Sequence, residues 1–169
     1  VKEAVEALRE AEVDAVAICL LFAFLHPEHE QKVGEAVREA LPDLHISLSS
    51  EVLPRIREWP RLSTTLLNAY LEPVMVHYIA HLNAGLDAAG LTTQQRFLMQ
   101  SNGGVMPFSA AIAGGRTVHT LFSGPAAGAQ ASAHLAREDA QPGLVTLDMG
   151  GTSADIAFIE GGAPLEVTE

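Results

Sequence analysis

Asp148 and Asp155 bracket the segment Met149-Gly150-Gly151-Thr152-Ser153-Ala154, with apolar residues leading in through Leu144, Val145 and Leu147 and out through Ile156 and Phe158. An apolar run that ends at an aspartate, turns through two glycines and resumes after a second aspartate predicts a β-hairpin whose tight turn can face a phosphate. Gly150 and Gly151 remove side chains where backbone must approach an anion, and they allow a positive φ where a turn needs one. Two carboxylates flanking such a turn are oxygen donors suited to Mg²⁺, held directly or through water. The pattern lacks the Gly-Lys-Ser/Thr ending of a Walker A loop, and it does not open a helix as the dinucleotide fingerprint does. A glycine-containing hairpin with exposed acidic residues accounts for the same spacing, and the spacing by itself leaves both readings open.

Two further segments carry groups able to bind a ligand. Ser123-Gly124-Pro125 places a hydroxyl and backbone N–H groups where a helix begins, and the helix dipole favours an anion there. An ordinary cap, with Ser123 satisfying orphan donors and Pro125 in the first turn, explains those residues as well. Gln100-Ser101-Asn102-Gly103-Gly104 follows an apolar strand-like run and offers amide side chains to a polar ligand. Its plainer use is a glycine turn closed by an Asx hydrogen bond. His77 and His81 have the four-residue spacing of a zinc pair, but Tyr78 stands where a zinc peptidase has its glutamate and no third ligand follows. His26 and His29 are no better supported. Arg55-Ile56-Arg57-Glu58 reads as a solvated loop, with Arg57 as an anion contact the lesser alternative.

These residues sit in an alternating α/β pattern. Val1 to Ala11 reads as an amphipathic helix with Val5, Leu8 and Ala4 inward. The apolar run Ala15 to Phe24 predicts a strand of a mostly parallel sheet covered on both faces. Pro27 to Ala40 reads as a helix with Val33, Val37 and Leu41 on one stripe, and Glu28 and Glu30 at its positive end. His45 to Val52 alternates as a strand, with Ile46, Leu48 and Ser50 on one face. Arg61 to Ala89 is helical, with Leu62, Leu66, Tyr70, Val74, Tyr78, Leu82 and Leu86 recurring as a packing stripe. Pro73 is expected to bend or split that helix. Trp59 and Tyr70 read as core and packing residues. A strand over Arg96 to Gln100, a helix over Ala126 to Arg137 and a linker over Glu138 to Gly143 lead to the hairpin.

Bulk properties bound the function. The chain has 169 residues, room for one domain or two small lobes. Its net charge of −11 argues against nucleic acid or an anionic membrane as a partner. Cys19, the single cysteine, lies in an apolar run and reads as a buried thiol outside any internal disulfide. The longest apolar run is interrupted by Asp14 and is too short to span a bilayer. A cytoplasmic location fits this composition.

Asp148-Met149-Gly150-Gly151-Thr152-Ser153-Ala154-Asp155 resembles the second phosphate loop of the actin, heat-shock chaperone and sugar kinase ATPase superfamily. Within it, the chain is similar to the hydantoinase A/oxoprolinase family. The similarity rests also on Leu48 to Pro54, Ser63 to Leu71, Met99 to Met106 and Ser123 to Gly128, in the family's order.

The resemblance implies α/β, actin-like (ribonuclease H-like) lobes: residues 1–58 ending an N-terminal lobe, 59–90 crossing, and 91–169 opening the next lobe. It implies ATP and Mg²⁺ as cofactors, with Asp148 and Asp155 on the metal and Gly150, Gly151, Thr152, Ser123 and Gly124 near the nucleotide. Gln100, Asn102 and Gly103 become candidate substrate contacts, and no catalytic base is assigned. The activity it implies is ATP-dependent opening of a five-membered lactam or imide, in which ATP phosphorylates the amide oxygen. A ketone carboxylase subunit, a non-enzymatic nucleotide-gated module and an inactive scaffold are the alternatives. A second, hydantoinase B-type subunit and an oligomeric intact protein are implied as well. Family members are far longer and open with a first phosphate loop absent before Asp148, so the chain reads as an internal piece, inactive alone. Leu121, Phe122 and parts of the crossing helix are expected to be exposed apolar positions, as a subunit surface or where the missing lobe would sit.

Overall fold

The computed structural model describes residues 1–112 and 116–165. The chain divides into two compact units, Val1–Arg96 with Pro107–Val118, and Phe97–Met106 with His119–Glu169.

The first unit is built on a parallel βαβ turn. Helix α1 (Lys2–Glu10) leads to β1 (Ala15–Ile18), α2 (Glu28–Ala40) and β2 (His45–Leu48), and β1 and β2 pair in parallel from Ala15 opposite His45 to Ile18 opposite Leu48. Val5, Ile18, Val37 and Leu48 form the core, with Leu8, Val33 and Leu41 packed against it. Ala4 is exposed, so the inner face of α1 is Val5 and Leu8. Pro27 caps α2, where a backbone hydrogen bond holds the Glu28 carboxyl below its usual range and His26 adds to the effect.

Both expected strands of this unit are shorter than their apolar runs. β1 stops at Ile18 and the chain turns through Leu21 to Leu25, with Phe22 at φ 58°. β2 stops at Leu48, and Ser49–Val52 form a one-turn helix, α3, which removes Ser50 from the strand face. One buried carboxylate accounts for both endings. Glu30 accepts hydrogen bonds from Leu20 N–H (2.7 Å), Ser49 Oγ (2.5 Å) and Ser50 N–H (2.8 Å). Backbone donors that would have extended the ladder are drawn to Glu30 instead. Cys19, beside this point, is half-buried rather than buried.

Helix α4 (Glu58–Ala88) follows the exposed loop at Arg55 to Arg57 and runs unbroken through Pro73. The expected leucine stripe is covered in part, at Leu62, Leu82 and Leu86, which are half-buried. Leu66, Tyr70, Val74 and Tyr78 are exposed, as is Trp59, while Arg61, Thr65, Asn68, Ala69, Glu72 and Ile79 are buried. Polar residues win the inner face because each is satisfied there. Arg61 donates to Ser49 Oγ, Arg55 O and Leu20 O, and its guanidinium lies 5.5 Å from the centre of the Phe24 ring. Asn68 donates to Ser47 Oγ and Glu72, and its Oδ1 accepts from Thr117 Oγ1 and Val118 N–H. His77 and His81 are exposed on the same helix. Among the described residues no three His, Cys, Asp or Glu side chains are grouped so as to hold a metal ion.

The second unit holds β3 (Phe97–Met99) paired with β4 (Val105–Pro107), then α6 (Ser123–Glu138) and a three-stranded antiparallel sheet of β5 (Gly143–Met149), β6 (Ala154–Glu160) and β7 (Ala163–Pro164). Between β4 and α6 in sequence, helix α5 (Phe108–Ile112) and the start of a 3₁₀ turn (Thr117–Thr120) belong to the first unit. Ala133 and Ala136 of α6 pack on Ile159 of β6 as the core of the second unit. Leu121 and Phe122 are exposed, as the sequence implied.

Candidate functional site

The hairpin forms where the sequence placed it. β5 and β6 pair in antiparallel register from Gly143 opposite Glu160 to Met149 opposite Ala154, and Gly150 N–H donates to Ser153 O at 2.9 Å to close the turn. Asp148 stands directly opposite Asp155. Alternation along the strands puts both on the face of Thr146 and Ala157, the face that also carries the buried Ile159. Opposed residues have Cβ atoms about 5 Å apart, and like charges so placed repel unless a cation lies between them.

Both aspartates line a cavity of about 410 Å³ whose other wall is α6, through Pro125, Gly128, Ala129 and Ser132, with Ser101 and Phe122 at its edge. The cavity lies wholly within the second unit. Ser123 does not cap α6: the cap position is Phe122, with no side-chain bond, and Ser123 and Gly124 are the first helical residues. Their N–H groups occupy the first turn, where intrahelical partners are lacking. These two residues flank the cavity rather than line it, and the turn residues Gly150, Gly151 and Thr152 lie just past the aspartates on the hairpin.

The glycines here are not explained by backbone conformation. None of Gly124, Gly128, Gly150 and Gly151 has a positive φ, so the turn does not need one at Gly150 or Gly151. A side-chain carbon added at Gly124, Gly128 or Gly151 meets nothing within 4 Å. Glycine inside a helix costs about 0.5–1 kcal/mol relative to alanine. Open space above several such glycines, next to two facing carboxylates and a helix start, fits an anionic group carrying a divalent cation. Two oxygen donors without a third protein ligand suit Mg²⁺, which keeps several waters and takes phosphate oxygens.

The loop after β3 is held tightly. Gly104 N–H donates to Asn102 Oδ1 (2.9 Å), the Asx bond anticipated for Asn-Gly, and Gly103 sits at φ 79°. Asn102 and Gly103 line a second cavity of about 510 Å³ with Gln130 and Arg137, whereas Gln100 lines neither. The residue of this loop that reaches the acidic cavity is Ser101, which sequence reasoning passed over. Its hydroxyl, between two residues already singled out, was the available signal.

An α/β protein with an acidic hairpin facing a helix start across an open cavity is the class that fold and site define. The sequence matches the hydantoinase/oxoprolinase model over residues 61–169 and the hydantoinase/oxoprolinase N-terminal region over residues 1–41. The chain belongs to the hydantoinase/oxoprolinase family. It is 42% identical over 159 residues to caprolactamase subunit alpha of Pseudomonas jessenii, a match covering 94% of this chain and 22% of that one. It is 35% identical to 5-oxoprolinase of Saccharomyces cerevisiae, covering 93% and 12%. To the acetophenone carboxylase gamma subunit of Aromatoleum aromaticum it is also 35% identical, covering 86% and 20%. The crystal structure of ATP-dependent caprolactamase from Pseudomonas jessenii superposes with a TM-score of 0.78 at 41% identity, over 93% of this chain and 23% of that one. The chain thus spans less than a quarter of the length of these relatives. Among the described residues no helix is long and apolar enough to cross a membrane.

Proposed function

We propose that this chain is part of an ATP-dependent enzyme that opens a cyclic amide, and that its second unit supplies half of the nucleotide site. The observation that carries the reading is the facing Asp148–Asp155 pair on the wall of a cavity shared with the start of α6, in a chain 42% identical to caprolactamase subunit alpha. Asp148 and Asp155 would hold Mg²⁺ through its waters. Gly150 and Gly151 would let backbone approach phosphate oxygens, with the Thr152 hydroxyl adding a donor, and the N–H groups of Ser123 and Gly124 would face the same charge. Mg²⁺ supplies charge neutralisation on the phosphoryl group in such a transfer. An amide resists water because its resonance makes the carbonyl carbon a poor electrophile; phosphorylating the amide oxygen, with ADP leaving, would remove that resonance. Water would add to the carbon, the nitrogen would leave as the amine on taking a proton, and a second water would release phosphate from the acyl phosphate. Groups that bind the ring are not assigned to this chain.

The finer architecture we propose is actin-like, with residues 1–58 closing one lobe, 59–90 crossing and 91–169 opening the next. The relatives named as subunits support a multi-subunit assembly, and a second, hydantoinase B-type chain is the partner we propose. A second reading, a ketone carboxylase subunit that activates its substrate by phosphorylation, is supported by the likeness to the acetophenone carboxylase gamma subunit. Phosphate release from Mg·ATP by the intact protein separates them. Stimulation by five- or seven-membered lactams or by hydantoins is the expected result; stimulation by a ketone with bicarbonate instead would select the carboxylase, and no turnover under any condition would remove both.

A further inference from the structure

The start of α6 has no cap of its own, yet its first amide is not left open. Phe122 N–H donates to Ser101 Oγ at 3.0 Å, across 21 residues of sequence. The same hydroxyl donates to His119 O at 2.7 Å, and Ser101 N–H reaches that carbonyl at 2.6 Å. One half-buried serine therefore ties the loop after β3 to both sides of the turn that enters α6. It also lines the cavity that holds Asp148 and Asp155. The loop has little freedom to yield. Gln130 of α6 fills the space where a Gly103 side chain would stand, and Asn102 closes the loop onto Gly104.

We propose that Ser101 is a positioning residue for the nucleotide: by holding Phe122 N–H from a distant loop it fixes the first-turn amides of α6 at the edge of the cavity that holds Asp148 and Asp155. The inference rests on the nucleotide reading above. A helix N-terminus attracts an anion only as well as its amides are aimed, and a serine hydroxyl that accepts one bond while donating another holds both partners at fixed spacing.

The test uses the intact protein with Ser101→Ala and Ser101→Thr, reading Mg·ATP affinity by calorimetry together with thermal midpoint and turnover. Ser101→Ala is expected to weaken Mg·ATP binding about tenfold, the scale of one lost hydrogen bond at a partly buried donor, with the thermal midpoint nearly unchanged. Ser101→Thr, which keeps the hydroxyl, restores most of the affinity. Ser101→Cys keeps the volume and weakens both bonds, and carries the same reading if the alanine variant does not fold. Nucleotide affinity within twofold of wild type in the alanine variant, or the cysteine variant in its place, would overturn the proposal, as would a loss that threonine does not restore. A wild-type protein that binds no Mg·ATP would instead overturn the nucleotide reading on which it stands.

Discussion

Asp148 and Asp155 face each other at a cost that the fold does not offset with a neighbouring cation: no ion pair to either is found among the described residues. The sequence placed both aspartates at the flanks of a glycine turn, and the register of the hairpin sets them directly opposite each other. It did not carry the reason for the glycines. Gly128 looks like one small residue among many in a run of alanines, and a side-chain carbon at its position would meet nothing within 4 Å. Gly128→Val is therefore expected to hold or slightly raise stability, by a few tenths of a kcal/mol at about the difference in helix propensity, while lowering Mg·ATP affinity of the intact protein at least about tenfold. Calorimetry beside a thermal melt checks both halves, and unchanged affinity would show that this face of α6 serves packing rather than ligand.

Helix α4 shows where element-scale reading fails. Hydropathy assigned its inner face to Leu62, Leu66, Tyr70 and their successors, since apolar residues at helical spacing are normally the buried ones. The real inner face is the row Arg61, Thr65, Asn68 and Glu72, buried because residues distant in sequence complete its hydrogen bonds. Such partners are invisible to a pattern that treats each element alone. Strand lengths failed for the same cause, with Glu30 drawing amides away from both ladders. The positions of the helices themselves were legible, since capping and breaking residues act locally. Asn68→Ala leaves Val118 N–H without its acceptor and takes one of two donors from Glu72, which keeps Ser47 Oγ. It is expected to cost about 2–4 kcal/mol in denaturant unfolding, as partners in a buried network are lost together. Leu66→Ala, on the exposed face, should stay within about 0.5 kcal/mol. Equal losses from the two substitutions would contradict the assignment of the inner face.

For the whole molecule, the two compact units place the candidate site entirely in the second, with its walls drawn from α6, the hairpin and the loop after β3. Family membership was legible because five segments in order carry it; the ring substrate was not, since this chain spans under a quarter of its relatives. The central claim is that the facing aspartates hold Mg·ATP. Its most direct test is calorimetric titration of ATP into the intact protein, with and without Mg²⁺, for wild type, Asp148→Asn and Asp155→Asn. The account predicts Mg²⁺-dependent binding in wild type that falls at least about tenfold in Asp148→Asn, with loss of the Mg²⁺ dependence, as expected when a hard oxygen ligand gives up its charge. Binding that is indifferent to Mg²⁺ or unchanged in both variants would contradict it.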